Sequence, residues 1–169
     1  LMRLNAPVVT AVHGYAAGGG GMGLVCSSDI VIASESSNFL AGATRVGMVP
    51  DAGVTVSLTQ LVGLRKAMEI ALLNPVIPAA KALDMGLVTR VVTDASLIDE
   101  ALGVARQLAT GAPMALAATK RLIWSGVGRS VEAAMPEENN TQALLCGTQD
   151  SLEGLLAVIE KRAPQFKGR

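Results

Sequence analysis

Four consecutive glycines, Gly18–Gly21, constrain this chain more than any other feature. They follow an apolar, β-branched run at 6–12 that ends in His13-Gly14, and a second such run, 29–33, comes shortly after them. Both runs have the composition and length of buried strands. Because glycine loses more conformational freedom on folding than any other residue, four in a row indicate positive φ or close approach of a ligand to the backbone. The first unit is therefore predicted to be strand, glycine loop, short helix and strand.

Three interpretations of the glycine run compete. In the first, the glycines only permit a tight strand-to-helix crossing, which explains one or two of them. In the second, Gly18, Gly20 and Gly23 match the dinucleotide motif GxGxxG, with Glu35 as the acidic residue, although the span before Asp29 is short for a Rossmann helix. In the third, free N–H groups and a helix dipole point at a developing negative oxygen, as in an oxyanion hole. A P-loop is excluded because no Gly-Lys-Ser/Thr follows.

The rest of the chain alternates between helix and strand and then becomes helical. Apolar periodicity predicts helix over 53–73 with a break at Gly63, a helix over 78–85 with Pro78 in its first turn, and a strand over 87–92. Further helices are predicted at 95–109, 113–124, 130–146 and 151–162. Asp150 and Glu153 have capping-box spacing at the start of the last one. The predicted fold class is α/β, with the helical end packed on the same core.

Composition excludes several classes of function. The 169 residues are half apolar, which is enough for one core, and 14 basic residues balance 14 acidic ones. No basic block and few aromatic rings are present, so nucleic acid is not expected as a partner. The apolar stretches are too short to span a bilayer, and we expect no membrane association and a soluble, cytoplasmic protein. Cys26 and Cys146 lack metal or redox spacing and are predicted to be buried free thiols.

Two stretches, APVVTAVHGYAAGGGG at 6–21 and DIVIA at 29–33, resemble the signature of the enoyl-CoA hydratase/isomerase (crotonase) superfamily. The likeness continues to 161–166 and covers essentially the whole chain. It implies a ClpP/crotonase ββα spiral core, partial at its N-terminal side, for residues 1–110, and a C-terminal helical trimerisation region for 111–169. It also implies an upstream segment that carries a second oxyanion N–H and part of the coenzyme A site.

The resemblance also implies roles for single residues. The middle glycine of the family loop donates its N–H to the thioester oxygen, and this role falls on Gly20, with Gly19 as the alternative because the chain has one residue more than the usual pattern. The glutamates with which hydratases of the family activate water fall on Gly23 and Ala43, which cannot move a proton. Asp51 stands where Δ3,Δ2-enoyl-CoA isomerases and the ring-epoxide isomerases of phenylacetyl-CoA degradation carry an acidic residue.

The sequence therefore predicts an enoyl-CoA isomerase, in which Asp51 shuttles a proton across a thioester enolate bound by Gly20. The structural alternative for Asp51 is a cap on the next helix. The functional alternatives are an enoyl-CoA hydratase, a non-catalytic acyl-CoA-binding paralogue, and a dehalogenase with His13 as its base.

The remaining expectations concern contacts and assembly. The predicted substrate-binding residues are Gly19, Gly23, Ala43, Val49, Lys161 and Phe166. The last two are expected near the coenzyme A nucleotide. The resemblance implies an acyl-CoA thioester as the partner and a homotrimer or a hexamer of two trimers. It implies no metal and no cofactor beyond the coenzyme A of the substrate. Trp124 and Met135 are predicted to be core or interface residues.

Overall fold

The structure is a computed structural model that describes residues 1–169. Its contacts divide the chain into two compact units. The first consists of residue 1 with residues 8–104, and the second of residues 2–7 with residues 105–169. The assignment of 1–110 as the core and of 111–169 as a trimerisation region stays a prediction.

The first unit contains two small sheets of three strands each. The strands are β1 (Val9–Val12), β2 (Tyr15–Ala17), β3 (Ile30–Ser34), β4 (Asn38–Leu40), β5 (Ile77–Pro78) and β6 (Arg90–Val92). The first sheet has the order β1-β3-β6, with all strands parallel. The second sheet has the order β2-β4-β5, in which β2 and β4 are parallel and β5 is antiparallel to β4.

The chain passes from the first sheet to the second twice. His13 and Gly14 connect β1 to β2, and Gly14 takes a φ of +72°, which suits glycine. Three residues, 35–37, then connect β3 to β4. Each passage therefore places one strand in each sheet before the next helical segment begins.

Five helices belong wholly or partly to the first unit and three to the second. They are α1 (Gly18–Ser27), α2 (Val54–Val62), α3 (Leu64–Leu73), α4 (Ala79–Asp84), α5 (Leu97–Ala109), α6 (Pro113–Gly126), α7 (Val131–Cys146) and α8 (Gln149–Ile159). Short 3-10 helices occupy Ala43–Val46 and Asp94–Ser96. The predicted break at Gly63 is confirmed, since its φ of +78° separates α2 from α3.

An aliphatic core fixes α1 against the strands of the first unit. Met22, Cys26 and Phe39 have no exposed surface and belong to one core cluster with Val25, which is 2% exposed. Burial of a large apolar side chain stabilises a fold by about 1.5–3 kcal/mol, so these side chains hold the glycine-rich helix in a defined position. The start of α1, which carries the glycines, is therefore built on a rigid base.

Several boundaries differ from the sequence prediction. The glycine run is the first turn of α1 and not a loop before a helix. Pro78 is the N-cap of α4 and pairs in β5 rather than standing in the first helical turn. The strand predicted over 87–92 is shorter, although Thr89 N–H already donates to Val31 C=O at 2.8 Å. The strands β2, β4 and β5 were not predicted, because two or three residues are too few to show alternation.

The predicted capping box at the last helix is wrong. Thr148 is the N-cap of α8, and its hydroxyl accepts the N–H of Ser151 at 3.1 Å. Asp150 is instead buried and accepts the backbone N–H groups of Lys167 at 2.7 Å and Gly168 at 2.8 Å. The side chain that looked like a cap therefore holds the C-terminal segment against its own helix.

Other features of the second unit bear on the sequence predictions. Cys146 is exposed at the end of α7, so its predicted burial is wrong, whereas Cys26 is buried as predicted. Trp124 is half-buried, and Met135 is 47% exposed. None of the helices combines the length and the apolar character that crossing a lipid bilayer requires.

Candidate active site

The candidate site begins at the N-terminus of α1. Ala17 is the N-cap and offers no side-chain acceptor, and the helix opens with Gly18 at a φ of +61°. The first N–H groups of an α-helix have no partner within the helix, so those of Gly18, Gly19 and Gly20 are available to a ligand. The helix dipole adds a partial positive charge at the same point. This end of α1 can therefore stabilise negative charge on an oxygen atom.

The carboxylate of Asp51 lies directly against Gly19. A Cβ built on Gly19 would stand 1.6 Å from Asp51 Oδ1 and 2.5 Å from its Cγ. The carboxylate therefore fills the space that any side chain at position 19 would need. The sequence analysis placed Asp51 and the glycine run in one site. The structure brings them together, and Gly19 is the glycine that Asp51 contacts.

Asp51 does not cap the helix that follows it. α2 begins at Val54, its N-cap is Gly53, and no side chain caps it. Val54 N–H donates to the backbone C=O of Asp51 at 3.0 Å, and Ala52 and Gly53 between them have φ values of +51° and +80°. Positive φ at both central residues is typical of a type I′ turn. The turn directs the carboxylate towards α1, exposed and outside every hydrogen bond and ion pair of the structure.

Each glycine at the start of α1 has its own environment. Gly18 has a positive φ, Gly19 faces Asp51, and a Cβ on Gly21 would be 2.8 Å from the carbonyl carbon of Ala16. Gly20 differs from these three, because a Cβ built on it meets nothing within 4 Å and its φ is not in the left-handed region. Neither backbone conformation nor a neighbouring protein atom requires glycine at position 20.

The two positions where the resemblance puts hydratase glutamates have different surroundings. Gly23 is buried, and a Cβ there would be 2.7 Å from the Cβ of Ala52. Ala43 opens the 3-10 helix, and its C=O accepts the N–H of Met48 at 3.1 Å. Neither position carries a titratable side chain. Val49, a predicted substrate contact, is 76% exposed in the segment that leads to Asp51.

A buried asparagine that the sequence interpretation missed anchors the segment before Asp51. Asn74 ends α3 in the left-handed conformation and is 3% exposed. Its Nδ2 donates to Thr44 Oγ1 and its C=O accepts from Arg45, both at 2.5 Å. Asn at the residue after a helix is a known signal for a left-handed C-cap, and it could have been found in the sequence. The network ties the 3-10 helix to α3.

Lys161 and Phe166 belong to the second unit. Lys161 is exposed and has a φ of +55°, just after α8 ends. The ring of Phe166 packs on Gly154, where a Cβ would be 3.5 Å from its Cε1. The packing gives Phe166 a structural role, and contact of either residue with coenzyme A stays a prediction.

Two further reactive side chains are set apart from the candidate chemistry. Burial raises the pKa of the Cys26 thiol to about 11, and a hydrogen bond with Ser57 opposes this only in part. The thiol is therefore protonated and unreactive at neutral pH. His13 is exposed in the connection between β1 and β2, and it makes no hydrogen bond or ion pair with Asp51. No group of three or more His, Cys, Asp or Glu side chains comes together as a metal site requires.

A helix N-terminus with free N–H groups beside a carboxylate without a partner is an arrangement that can stabilise an oxyanion and accept a proton. Comparison with known proteins gives the family. The chain belongs to the enoyl-CoA hydratase/isomerase family, whose model matches residues 1–169. The resemblance seen in the sequence is thereby confirmed. The dinucleotide interpretation does not fit, because α1 follows β2 of the second sheet and not a strand of the sheet that holds β1 and β3.

The similar proteins include both isomerases and hydratases by name. The chain is 37% identical over 169 residues to 1,2-epoxyphenylacetyl-CoA isomerase of Escherichia coli (strain K12), covering 100% of this chain and 64% of that protein. It is 39% identical over 163 residues to a probable enoyl-CoA hydratase of Rhodobacter capsulatus, covering 96% and 63%. A crystal structure of enoyl-CoA hydratase from Bacillus anthracis matches with a TM-score of 0.95 at 33% identity, over 99% of this chain and 65% of that one. The predicted crotonase-like α/β fold is confirmed, and the chain spans just under two thirds of these relatives.

Proposed function

We propose that the protein is an enoyl-CoA isomerase that moves a double bond by transferring one proton across a thioester enolate. The substrate is an acyl-CoA thioester with a double bond between C3 and C4. Asp51 is the base, and the N–H groups at the start of α1 bind the thioester oxygen. One observation carries the proposal: the carboxylate of Asp51 lies on Gly19, beside those N–H groups, and caps no helix.

The reaction proceeds in two proton transfers. The carboxylate of Asp51 removes a proton from C2, and the electron pair of that C–H bond forms the enolate, whose charge rests on the thioester oxygen. The protonated Asp51 then delivers the proton to C4, and the double bond ends between C2 and C3. Atoms and charge balance without water, oxidant or reductant. The shuttle requires no cofactor beyond the coenzyme A carried by the substrate.

Gly20 is the proposed oxyanion donor. Its N–H is one of the free groups of the first helical turn, and a Cβ built on it would meet nothing within 4 Å. Because no protein atom needs that space, we assign it to the thioester. Removal of one oxyanion donor costs about 10²–10³ in rate, so the family's second donor, which the resemblance puts upstream of this sequence, belongs to the complete site.

Hydration is the alternative that the relatives' names keep open. Water addition in this family is expected to use two carboxylates, and positions 23 and 43 hold glycine and alanine. Gly23 also lacks room for a side chain, because the methyl group of Ala52 occupies it. These observations favour isomerisation. A non-catalytic acyl-CoA-binding protein would have no use for an unpaired carboxylate aimed at a helix N-terminus.

We further propose that the complete protein assembles into trimers. The second unit presents large apolar side chains to solvent, among them Leu144, Val158 and Ile159, which are 78%, 77% and 75% exposed. Apolar surface of this kind marks association sites in soluble proteins.

The test measures conversion of a 3-enoyl-CoA to its 2-trans isomer by the complete protein, with hydration of a 2-enoyl-CoA assayed alongside. Asp51→Asn keeps the size of the side chain and removes the base. We expect isomerisation to fall by about 10²–10⁴-fold, the usual contribution of a general base, with hydration negligible throughout. Isomerisation that is indifferent to Asp51, or efficient hydration by the wild type, would refute the proposal. Retained binding of a CoA ester without any turnover would favour the binding paralogue.

A further inference from the structure

Two neighbouring residues of one turn rest on two glycines of one helix face. Gly19 and Gly23 are four residues apart in α1, so they lie on the same side of the helix, one turn above the other. Asp51 lies on Gly19, and Ala52 lies on Gly23. The turn from Asp51 to Val54 is therefore docked on α1 through these two contacts.

The contact at Gly23 is the tighter constraint of the two. A Cβ on Gly23 would be 2.7 Å from Ala52 Cβ, 3.8 Å from Ala52 C=O and 3.8 Å from Val54 Cγ2. The methyl group of Ala52 is attached directly to the backbone and cannot rotate away. The Asp51 carboxylate, in contrast, is the mobile end of a side chain. The distance between the turn and α1 is thus set by Ala52 and Gly23.

Ala52 holds its position in an unfavourable backbone conformation. Its φ is +51°, and the first central residue of a type I′ turn is usually Gly, Asn or Asp. Left-handed φ is unfavourable for an ordinary L-residue, because its Cβ comes too close to the following carbonyl oxygen. Glycine would fit the turn with less strain, so the backbone conformation does not explain why position 52 carries a methyl group. The packing of that methyl group on Gly23 does explain it.

We infer that Ala52 is a positioning residue, whose methyl group seated on Gly23 fixes the turn so that Asp51 reaches the start of α1. The inference rests on the proposed function, since it explains how the base of that reaction is aimed. The methyl group of Ala52 cannot transfer a proton, and in this role Ala52 acts through Asp51. The same contact leaves no room for a side chain at position 23, so a second carboxylate cannot stand there.

The experiment compares Gly23→Ala, Ala52→Gly and the double variant in the complete protein. Gly23→Ala forces the turn away from α1, and we expect kcat for isomerisation to fall at least tenfold with KM nearly unchanged. Ala52→Gly relieves the strained φ but loosens the turn, so kcat should fall several-fold without a loss of thermal stability. In the double variant the new methyl group takes the place of the old one, and kcat should recover to within about threefold of the wild type. Gly103→Ala is the matched control, because a Cβ at Gly103 in α5 meets nothing within 4 Å.

Crystal structures of the same variants make the positioning test independent of activity. The distance from the Asp51 carboxylate to Gly19 Cα should increase in Gly23→Ala and return in the double variant. Asp51→Asn, assayed in parallel, reports on the proposed function alone. Wild-type kcat in Gly23→Ala or Ala52→Gly, or a double variant no better than Gly23→Ala, would overturn the positioning role while leaving Asp51 as the base. If Gly23→Ala does not fold, the fall in kcat of Ala52→Gly and the activity of the double variant decide the matter.

Discussion

Gly19→Ala should separate the position of the Asp51 carboxylate from its presence. The new Cβ would stand 1.6 Å from Oδ1, whereas ordinary contact begins at 3.4 Å, so the carboxylate must move by the difference of 1.8 Å. A misplacement of about 1 Å can cost about 10²-fold in rate, which corresponds to about 2.7 kcal/mol of transition-state stabilisation. We therefore expect kcat for isomerisation to fall at least 10²-fold.

Folding should not suffer from the same substitution. The atoms displaced belong to the end of an exposed side chain without hydrogen bonds, and Ala is favoured over Gly in a helix by up to about 1 kcal/mol. The melting temperature of Gly19→Ala should therefore equal or exceed that of the wild type. Gly20→Ala is the matched control for stability, because it adds the same methyl group in the same helical turn with no protein atom within 4 Å.

The assay is steady-state isomerisation of a 3-enoyl-CoA, combined with the double variant Gly19→Ala/Asp51→Asn. If the substitution acts only by displacing the carboxylate, the double variant should be no slower than Asp51→Asn alone. A Gly19→Ala variant with wild-type kcat, in a protein whose activity depends on Asp51, would refute the reasoning from this contact. Additive losses in the double variant would show instead that the methyl group obstructs the substrate.

Two further predictions concern groups with shifted pKa values. Cys26→Ala should remove a pH dependence of stability: because burial raises the pKa of the thiol from 9.0 to about 11, the unfolded state ionises first. The thiol's contribution to the free energy of unfolding is complete below pH 9 and is lost as pH rises towards 11, by about 1.4 kcal/mol per pH unit. Urea unfolding of the wild type and of Cys26→Ala at pH 8 and pH 10 measures this loss. Glu153→Gln should loosen the C-terminal segment, because the Glu153 carboxylate binds Arg162 and the N–H of Gln165. Arg162 first, and then that N–H, lower the pKa of Glu153 from 4.5 to about 2. The stabilisation is therefore complete above pH 4.5 and is lost as pH falls towards 2. Faster amide exchange of Gln165 in the variant at neutral pH is the expected result, and unchanged exchange would contradict it.

The sequence allowed the helices to be predicted better than the short strands. Periodicity over nine or more residues located α2, α3 and α5, and Gly63 marked a real break. β2 and β4 have three residues each, and they depend on parallel pairing with partners about 23 residues away rather than on a local pattern. The capping box failed because Thr148 precedes Asp150 as an equally good cap, and only the folded C-terminal segment assigns Asp150 to another partner.

The candidate site was predicted as a set of residues but not as a geometry. Asp51 could be either a cap or a base in the sequence, and the distinction depends on α2 starting two residues later than a cap at Asp51 would require. The contact between Ala52 and Gly23 joins residues 29 positions apart, so no local motif reports it. The sequence also could not show which of the four glycines is required by its backbone conformation, which by packing against a neighbour, and which by access for a ligand.

The glycines of α1 connect the fold to the chemistry through one physical constraint. A helix start can offer free N–H groups to a ligand only if no side chain covers them, and a carboxylate can stand beside those groups only if the helix face below it is equally bare. Gly20 meets the first condition, and Gly19 and Gly23 meet the second. Since a side chain at Gly23 and the present turn exclude each other, this helix face accommodates either a carboxylate of its own or the Asp51 turn. A change from the proposed isomerase chemistry to hydration with a carboxylate at position 23 would therefore require the turn and the helix to change together.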